Sequence, residues 1–428
     1  MNRRTLRIAG IALVVAVAAA PAGAQLQVPG LPLPQAPLPP LPGGQDPLGA
    51  TLRGASATLA EARKLRVREL LRVERETVEA DPDGQPILRR QVGALSPTPE
   101  AIARAEAAGF RVLSRDSLEG LGLTLVVFEA PEGMSTRRAL KKLRALDPEG
   151  SYDFNHLYLG SGEAQAADPP SAAPLPAAPP GTRIGLIDSG VDFTHPVLAG
   201  ADVVRHGCDG GSFPAPHGTA VASLLVGEGE GFAGLVPGAT LYAADVFCGH
   251  GGGSLSLLAL ELDWMAREKV PVVNISLVGA KSVLLTGLVR AMTSRGFLLV
   301  AAVGNDGPTA PPLYPASYPG VVGVTGVDGQ RRVLPEACRG EQVDFAAAGA
   351  GIRAAAVGGG YEEIRGTSFA TPIVAGLLAR SLNSPEPAAA QAAVDALAAT
   401  AIDLGNNGVD PSYGKGLVGA GLNPGHRD

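Results

Sequence analysis

Short apolar runs separated by helical stretches dominate the second half of the chain, from residue 183 onward. The runs contain few polar residues, which is typical of strands that are buried on both faces. They predict strands at 184–187, 240–247, 270–275, 297–303 and 321–324. Between them the sequence predicts helices at 217–226, 255–268 and 282–294. This alternation indicates an α/β fold with a parallel β-sheet flanked by helices, where chemistry gathers at the carboxyl ends of the strands.

The pattern between residues 84 and 160 is different, because its elements follow the order β-α-β-β-α-β. It predicts strands at 87–92, 111–113, 123–129 and 152–159, and helices at 98–108 and 134–146. This order is the small α+β, ferredoxin-like arrangement. The basic run 137–144 is interpreted as a solvated helix face, with an interaction patch as the alternative. Residues 51–76 have a helical composition and form either a solvent-exposed helix or part of this unit.

The first residues have the features of a secretory signal peptide. Basic residues precede an apolar stretch at 8–20, and Ala22-Gly23-Ala24 is a cleavage motif before Gln25. An uncleaved anchor is the alternative, although the apolar stretch is short for a membrane span. We therefore expect a periplasmic or secreted protein, with no stable membrane span after removal of the signal.

Two proline-rich segments divide the rest of the chain. Residues 25–50 predict a disordered linker, and residues 161–181 predict a second linker that is also a candidate processing region. The predicted organisation is a signal peptide at 1–24, a linker at 25–50, an α/β domain with a leading helix at 51–160, a linker at 161–181 and the parallel-sheet domain at 182–424.

Composition and charge narrow the function classes. The chain has 428 residues, of which 46% are hydrophobic, and a formal net charge of −6. The hydrophobic content is enough for a sizeable core, and the acidic balance argues against a nucleic-acid partner. The three cysteines lack the spacing of a metal site. We expect a Cys208–Cys248 disulfide with Cys338 left as a buried or free thiol, although the sequence does not fix the pairing.

No cofactor is expected from the sequence. Residues 406–410 carry oxygen ligands, but the stretch is interpreted as a turn near the C-terminus. A structural calcium ion stays open, because main-chain carbonyls can also supply ligands.

One turn carries a candidate nucleophile. In Gly366-Thr367-Ser368-Phe369-Ala370-Thr371-Pro372, the serine opens a strongly apolar run that predicts a helix. At a helix N-terminus, N–H groups and the helix dipole favour developing negative charge, which suits a nucleophile whose reaction creates an oxyanion. The alternative is an ordinary helix cap.

Three further polar residues fall at predicted strand ends or helix starts. Asp188 follows the strand 184–187, His217 opens a helix, and Asn305 follows the strand that ends at Val303. Each has an ordinary structural explanation when it is taken alone, such as a turn residue or a buried, hydrogen-bonded histidine. Four such residues in the order Asp, His, Asn, Ser on one parallel sheet favour a catalytic site.

Three motifs carry a family resemblance. The segments 188–191, 217–222 and 366–372 resemble the signatures of subtilisin-like serine proteases, the subtilases, over roughly residues 181–424. Weaker matches lie at 273–279 and 314–316, and by resemblance the Tyr314–Pro315 bond is cis. The sequence departs from the family's pattern in a short Asp188-to-His217 connection and in Pro216 before the histidine.

The resemblance implies a mechanism. Ser368 would attack the scissile carbonyl, His217 would carry the proton, and Asp188 would orient the histidine and stabilise its charged form. The Asn305 amide and the Ser368 N–H would stabilise the oxyanion.

The resemblance also implies a peptide-binding cleft. Its two edges would be Gly251, Gly252 and Gly253 on one side and Ser276, Leu277 and Gly279 on the other, where an extended peptide adds as a strand. The glycine run lacks the Lys-Ser/Thr of a phosphate-binding loop. The wall of the primary pocket would be Ala301, Ala302 and Gly304. Its small apolar residues predict a hydrophobic preference just before the cleaved bond.

The function expected from the sequence is an exported serine endopeptidase that acts on polypeptides and is made as a zymogen. The N-terminal unit resembles an intramolecular propeptide whose tail, residues 155–160, would enter the cleft, with maturation cleavage within 159–181. The alternative is a catalytically silent binding or scaffold protein on the same fold. An esterase is disfavoured, because Gly-x-Ser-x-Gly in the order Ser, Asp, His is not seen.

Overall fold

In a computed structural model of the protein, the described residues are 63–160, 162–164 and 176–422. These residues belong to one compact unit. The predicted signal peptide and first linker, residues 51–62 and most of the second linker lie outside the described residues. Within the described part of the chain, no helix has the length and apolar character needed to cross a membrane.

The N-terminal unit has a helix α1 (residues 63–73), followed by an antiparallel sheet with two helices. Its elements are β1 (Val78–Ala80), β2 (Pro86–Leu95), α2 (Pro99–Ala107), β3 (Arg111–Leu118), β4 (Leu123–Glu129), α3 (Thr136–Leu146) and β5 (Ser151–Gly160). The strand order β5-β2-β4-β3, with β1 beside β2, confirms the predicted ferredoxin-like arrangement.

Local sequence explains the two helices of this unit. Thr98 and Ser135 cap α2 and α3 by accepting main-chain N–H groups, as short polar residues do at helix starts. Ala139, Leu140 and Leu143 of α3 are buried against the sheet. The basic residues of α3 lie mainly on the outward side of the helix, in line with a solvated face.

The second unit, residues 162–164 and 176–422, begins with short strands and then forms the predicted parallel sheet. Its first seven strands are β6 (Glu163–Ala164), β7 (Arg183–Asp188), β8 (Val203–His206), β9 (Glu228–Gly229), β10 (Phe232–Ala233), β11 (Thr240–Asp245) and β12 (Gly253–Ser254). The later strands are β13 (Val272–Ile275), β14 (Leu277–Val278), β15 (Leu298–Ala302), β16 (Val322–Val327), β17 (Phe345–Ala348), β18 (Ala350–Ala355) and β19 (Tyr361–Arg365). The helices are α4 (Pro216–Val226), α5 (Leu255–Arg267), α6 (Val283–Thr293), α7 (Thr367–Ala379) and α8 (Pro387–Ala398), with a 3-10 turn at Cys208–Gly210.

Seven parallel strands form the main sheet in the order β17-β16-β15-β13-β7-β11-β8. Every residue of β13 and β15 is buried, because helices cover both faces. The side chains of α4 and α7 fill one core, and those of α5 and α6 fill the other. The α/β fold with a parallel sheet flanked by helices is therefore confirmed.

Several elements differ from the sequence pattern. The pattern did not predict β8, the strands after β16, or α8. Two residues of the predicted linker, Glu163–Ala164, form β6 and pair with β19. The Cys208–Cys248 disulfide and the buried free thiol of Cys338 agree with expectation, as does the cis peptide bond between Tyr314 and Pro315.

Candidate active site

A carboxylate and an imidazole meet at the carboxyl edge of the main sheet. Asp188 is the last residue of β7 and is fully buried, and His217 is the second residue of α4. The Asp188 Oδ1 to His217 Nδ1 distance is 2.8 Å. A carboxylate on Nδ1 fixes the ring orientation and leaves Nε2 to exchange a proton elsewhere. The pair therefore has the geometry of an oriented general base.

Ser189 ties this pair to the start of α4. Its N–H and its hydroxyl both donate to Asp188 Oδ1, at 2.7 and 3.1 Å. The same hydroxyl accepts the N–H of Gly218 at 3.0 Å. A Cβ on Gly218 would lie 2.1 Å from the Ser189 carbonyl oxygen, so glycine is required for this close approach. Ser189 therefore positions Asp188 and the start of α4. The sequence pattern identified Asp188 in this motif but not Ser189.

Ser368 lies in the first turn of α7, as predicted, and is fully buried. Gly366 is the N-cap residue, with φ 139° and ψ 166°, a backbone conformation that is essentially restricted to glycine. The cap position therefore belongs to Gly366, and the ordinary helix-cap explanation does not apply to Ser368. N–H groups in a first helical turn point out of the helix, toward the place where an oxyanion would form.

Ser276 holds the backbone of Ser368 from the neighbouring strand end. The Ser276 hydroxyl donates to the Ser368 carbonyl at 3.0 Å and accepts an N–H from the buried Asn274 side chain at the same distance. The Ser368 hydroxyl donates to the Ser276 carbonyl over a long 3.4 Å. The nucleophile candidate is thus anchored at the end of β13.

The contacts between described residues include no hydrogen bond between Ser368 and His217. His217 Nε2 is buried and has no hydrogen-bond partner there. The Phe369 ring lies beside the imidazole, with centroids 5.3 Å apart. Nucleophile-to-base hydrogen bonds are often long before substrate binds and tighten in the reacting complex.

Asn305 reaches the start of α7 from the loop after β15. Its Oδ1 accepts the Thr367 N–H at 3.1 Å, which orients the side-chain amide with its N–H groups on the side away from that bond. The Thr367 hydroxyl accepts the Gly304 N–H at 3.3 Å and links the same loop to α7. These two bonds bring Asn305 and the first turn of α7 together, which is the arrangement the oxyanion hypothesis requires.

The two predicted cleft edges are occupied by the N-terminal unit. Strand β5 pairs antiparallel with β12, aligning Tyr158 with Gly253. It also pairs with β14, aligning Gly160 with Leu277. An extended segment of this chain is therefore sandwiched between the glycine run and the strand after Ser276, as a peptide substrate would be.

The end of β5 lies against the catalytic histidine candidate. A Cβ built on Gly160 would be 3.7 Å from the His217 ring, and one on Gly162 would be 3.4 Å from His217 Nε2. A Cβ on Gly162 would also be 2.6 Å from the Phe369 ring. Glycines in this stretch let the main chain pass close to the imidazole.

Tyr158 fills an apolar pocket between the two units. Its side chain is fully buried among residues of α5 and β14, and its hydroxyl donates to the Ala280 carbonyl at 3.1 Å. A Cβ on Gly279 would lie 2.4 Å from the ring, so Gly279 makes room for this side chain. Burial raises the pKa of the Tyr158 hydroxyl well above its ordinary value.

Two polar side chains of β5 cap helices of the other unit. Asp153 Oδ2 accepts the N–H of Val283 at the start of α6, at 2.9 Å. Asn155 Oδ1 accepts the N–H of Ser256 at the start of α5, at 3.1 Å. Both contacts satisfy N–H groups that a helix leaves without an acceptor, so β5 completes the neighbouring unit electrostatically.

The predicted pocket wall is buried in the sheet. Ala301 and Ala302 are the last residues of β15 and are fully buried, and Gly304 follows with φ 100°. A Cβ on Gly304 would be 3.4 Å from the Cys338 sulfur, and burial, aided by Asp306, raises the pKa of that thiol to about 12. No contact of Ala301 or Ala302 with a bound peptide segment is seen among the described residues, so the pocket preference stays a prediction.

A second carboxylate lies beside the Asp188 position. Asp245 ends β11 in register with Asp188 on β7, and its Oδ1 accepts the N–H groups of Phe247 and Cys248. Burial, together with the nearby Asp188 charge, raises the pKa of Asp245. The sequence argument did not single out Asp245, although its place at the end of an apolar run was the same signal that identified Asp188.

The described residues contain no group of three or more side chains suited to hold a metal ion. The stretch 406–410 is a turn in which Asp410 accepts main-chain N–H groups, including that of Asn406 at 3.0 Å.

Comparison with known proteins identifies the family of the chain. A sequence model of the Subtilase family matches residues 180–416. Subtilisin E of Bacillus subtilis (strain 168) is 35% identical over 246 residues, which are 55% of this chain and 64% of that protein. Subtilisin of Bacillus pumilus is 34% identical over 246 residues, covering 88% of its length. The minor extracellular protease Epr of Bacillus subtilis (strain 168) is 34% identical over 206 residues, covering 47% of this chain and 32% of that protein.

Solved structures show the same fold. Fervidolysin from Fervidobacterium pennivorans, described as a keratinolytic enzyme related to subtilisin, superposes with a TM-score of 0.66 at 21% identity, covering 80% of this chain and 61% of that chain. The prenylagaramide maturation protease PagA superposes with a TM-score of 0.51 at 27% identity, covering 56% of this chain and 92% of that one. The match to Subtilisin E spans less than two thirds of that protein.

Proposed function

The chain belongs to the subtilase family, and from this premise we propose that it is a serine endopeptidase made as a zymogen. The observation that carries the proposal is the Asp188–His217 hydrogen bond of 2.8 Å beside a serine in the first turn of α7, in a cleft that already holds an extended strand. The substrates are polypeptides, which bind by adding a strand between the two cleft edges.

In the proposed reaction, Ser368 Oγ attacks the scissile carbonyl carbon as His217 Nε2 takes its proton. The imidazolium is stabilised by Asp188 and then protonates the leaving amine, which breaks the C–N bond and leaves an acyl-enzyme. Water attacks the ester carbonyl in the second half-reaction with His217 again as base, the C–O bond to Ser368 breaks, and His217 returns the proton to Ser368 Oγ. The Asn305 amide and the Ser368 N–H hold the oxyanion in both halves.

The N-terminal unit is the proposed propeptide. Its strand β5 ends against His217, and Gly160 and Gly162 flank the imidazole. We expect maturation cleavage between residues 160 and 162, inside the wider 159–181 interval that the sequence indicates. The small residues in this stretch fit a cut made by the chain's own active site.

Export to the periplasm or the medium is also proposed. The basic start, the apolar stretch and the Ala-x-Ala motif support it, and one relative is named an extracellular protease. The disulfide is consistent with an oxidising compartment.

The test compares the wild-type full chain with Ser368→Ala. A fluorophosphonate probe should label the wild type and not the variant, and only the wild type should cut casein and shorten itself. Ser381→Ala, an exposed serine at the other end of α7, is the matched control and should behave as wild type. N-terminal sequencing of the mature product should begin at residue 161 or 162. Correctly folded wild type that neither labels nor cuts would favour the silent scaffold.

A further inference from the structure

Helix α1 lies over the same cleft, outside the ferredoxin-like sheet. Its residues 63–73 span about 16 Å at 1.5 Å per residue, which is enough to cross a peptide-binding groove. A ferredoxin-like unit needs no such helix to complete its own sheet. The role of α1 must therefore be sought in what it contacts.

The underside of α1 is an apolar stripe that rests on β5. Val67 and Leu70 are buried and form one cluster with Leu157 and Leu159. Along β5 these two leucines point away from the second unit, whereas Tyr158 between them points into it. Strand β5 is therefore covered on both faces, by the cleft below and by α1 above.

The two ends of α1 reach opposite edges of the cleft. At the start, the Arg63 guanidinium lies 3.5 Å from the Asp306 carboxylate, with both side chains largely buried at 12% and 16% exposure. Asp306 is the residue after Asn305. At the other end, Glu74 lies 3.9 Å from His250, just before the glycine run. In between, Leu70 lies so close to Gly251 that a Cβ there would be 3.0 Å away.

We propose that α1 is a clamp that keeps the β5 tail in the cleft after the chain has been cut, so that activity appears only when α1 is displaced or itself cleaved. This inference rests on the proposed function, because it assigns the N-terminal unit the role of inhibitor. An open pocket of about 490 Å³ is bordered by α1, Gly160, Gly162 and His217. Helix α1 therefore borders the proposed cleavage point.

The physical basis is that cutting the chain removes one covalent link but none of the clamp contacts. A severed β5 must break its backbone pairing with β12 and β14 to leave. With α1 in place, it must also separate Leu157 and Leu159 from Val67 and Leu70 or carry α1 away with it. The contact between the largely buried Arg63 and Asp306 side chains must also be broken before α1 can leave.

The first test uses the full chain with Leu70→Ala and, as matched control, Leu65→Ala on the same helix. Leu65 is 58% exposed, whereas Leu70 is buried in the clamp contact. Loss of a buried leucine should shorten the delay between chain cleavage and peptide hydrolysis about tenfold. The Leu65 variant should keep the wild-type delay. Equal delays for the two variants would overturn the clamp.

A second pair of variants tests the clamp without removing a buried apolar side chain, in case Leu70→Ala fails to fold. Arg63→Ala removes the contact with Asp306 and a 2.9 Å hydrogen bond to the Gln85 side chain without removing a core side chain. Arg68→Ala removes an exposed arginine from the same helix. Arg63→Ala should shorten the delay by a smaller factor, about twofold to fivefold. Arg68→Ala should leave it unchanged.

A readout without catalysis separates the clamp from the proposed function. In a Ser368→Ala background, amide hydrogen exchange at residues 157–160 should rise in Leu70→Ala and stay unchanged in Leu65→Ala, because only the former loosens the cover over β5. If wild type never becomes active, the proposed function fails and this exchange still decides on the clamp. Unchanged exchange in Leu70→Ala would refute the clamp even in an active protease.

Discussion

The two sheets of the molecule are buried in different ways. In the main parallel sheet, all five residues of β15 are buried, because α4 and α7 cover one face and α5 and α6 the other. In the N-terminal sheet, β3 alternates between exposed and half-buried residues along most of its length. Helices α2 and α3 cover only one face of that sheet.

The second face of the N-terminal sheet is covered by the other unit. Leu118, Leu125 and Val127 belong to the same apolar cluster as residues of α5 and α6. The N-terminal unit therefore completes its burial on its neighbour, whereas the parallel sheet carries its own cover. The difference suggests that the residues of the proposed reaction and the residues that hold the N-terminal unit in place can be changed separately. The following variants test this separation.

The largest expected effect concerns chemistry alone. Asn305→Ala should lower turnover by ~10²–10³, because it removes a donor from the oxyanion site, and should leave the docking of β5 intact. Turnover is measured with a peptide substrate and corrected by active-site titration. Asn383→Ala, an exposed asparagine beyond α7, is the control. Near-wild-type turnover in Asn305→Ala would remove Asn305 from the oxyanion site.

The next effect concerns docking alone. Tyr158→Ala should weaken the hold on β5 by roughly thirtyfold or more, because a fully buried aromatic anchor is lost. Amide exchange of β5, measured in a Ser368→Ala background, should rise accordingly. Tyr158→Phe keeps the ring and loses only the bond to the Ala280 carbonyl, so its effect should be several times smaller. Equal effects would show that the ring is not the anchor.

A backbone variant tests the parallel-sheet unit. Gly366→Val should destabilise this unit by about 1–3 kcal/mol, because valine does not tolerate φ 139° with ψ 166°. The melting temperature is measured in a Ser368→Ala background, so that self-digestion does not interfere. Gly200→Val is the control, since its Cβ would meet nothing within 4 Å. A stable and, with Ser368 restored, fully active Gly366→Val protein would contradict the strain argument.

The smallest effect is pH-dependent stability at Asp245. Burial and the Asp188 charge raise the pKa of Asp245 in the folded state. The protonated carboxyl therefore contributes its full stabilisation below the pKa of about 3.9 that Asp has in the unfolded chain. That contribution is lost as the pH rises through the pKa of Asp245 in the folded protein. At pH 8, Asp245→Asn should raise the free energy of unfolding by less than about 1 kcal/mol, because solvent screens the charge, and the melting temperature should rise accordingly. Near pH 4 the melting temperature should not change. A gain that is independent of pH would mean that ionisation of Asp245 is not the cause.

Asp328 is a control of opposite sign for the Asp245 experiment. Burial alone would raise the pKa of Asp328, but hydrogen bonds from Arg332 and main-chain N–H groups outweigh burial and lower it. The ionised carboxylate of Asp328 then stabilises the fold above the pKa of about 3.8–3.9 that Asp has in the unfolded chain. That stabilisation is lost as the pH falls through the lowered pKa of Asp328 in the folded protein. Asp328→Asn should therefore destabilise the protein at pH 8 and not at low pH.

Much of the fold was predictable because its signals are local. Apolar periodicity identified the strands of the main sheet up to β16, apart from β8, and both helices of the N-terminal sheet, with ends shifted by one to three residues. The later strands β17 to β19 were missed, since they are short and contain alanine, glycine and charged residues in no clear alternation. Their stability comes from pairing with partners that local sequence does not reveal.

By itself, the sequence determined the family, the parallel sheet and the order of Asp188, His217, Asn305 and Ser368, because motifs and apolar runs are written in consecutive residues. The family resemblance implied that residues 155–160 would enter the cleft, but only the tertiary structure decided how β5 pairs there and that α1 packs on it. The physical reason is that the pairing of β5 with β12 and β14 uses main-chain hydrogen bonds, which any extended sequence can make. The clamp contacts join residues far apart in the chain, such as Arg63 and Asp306, whose meeting no local pattern encodes.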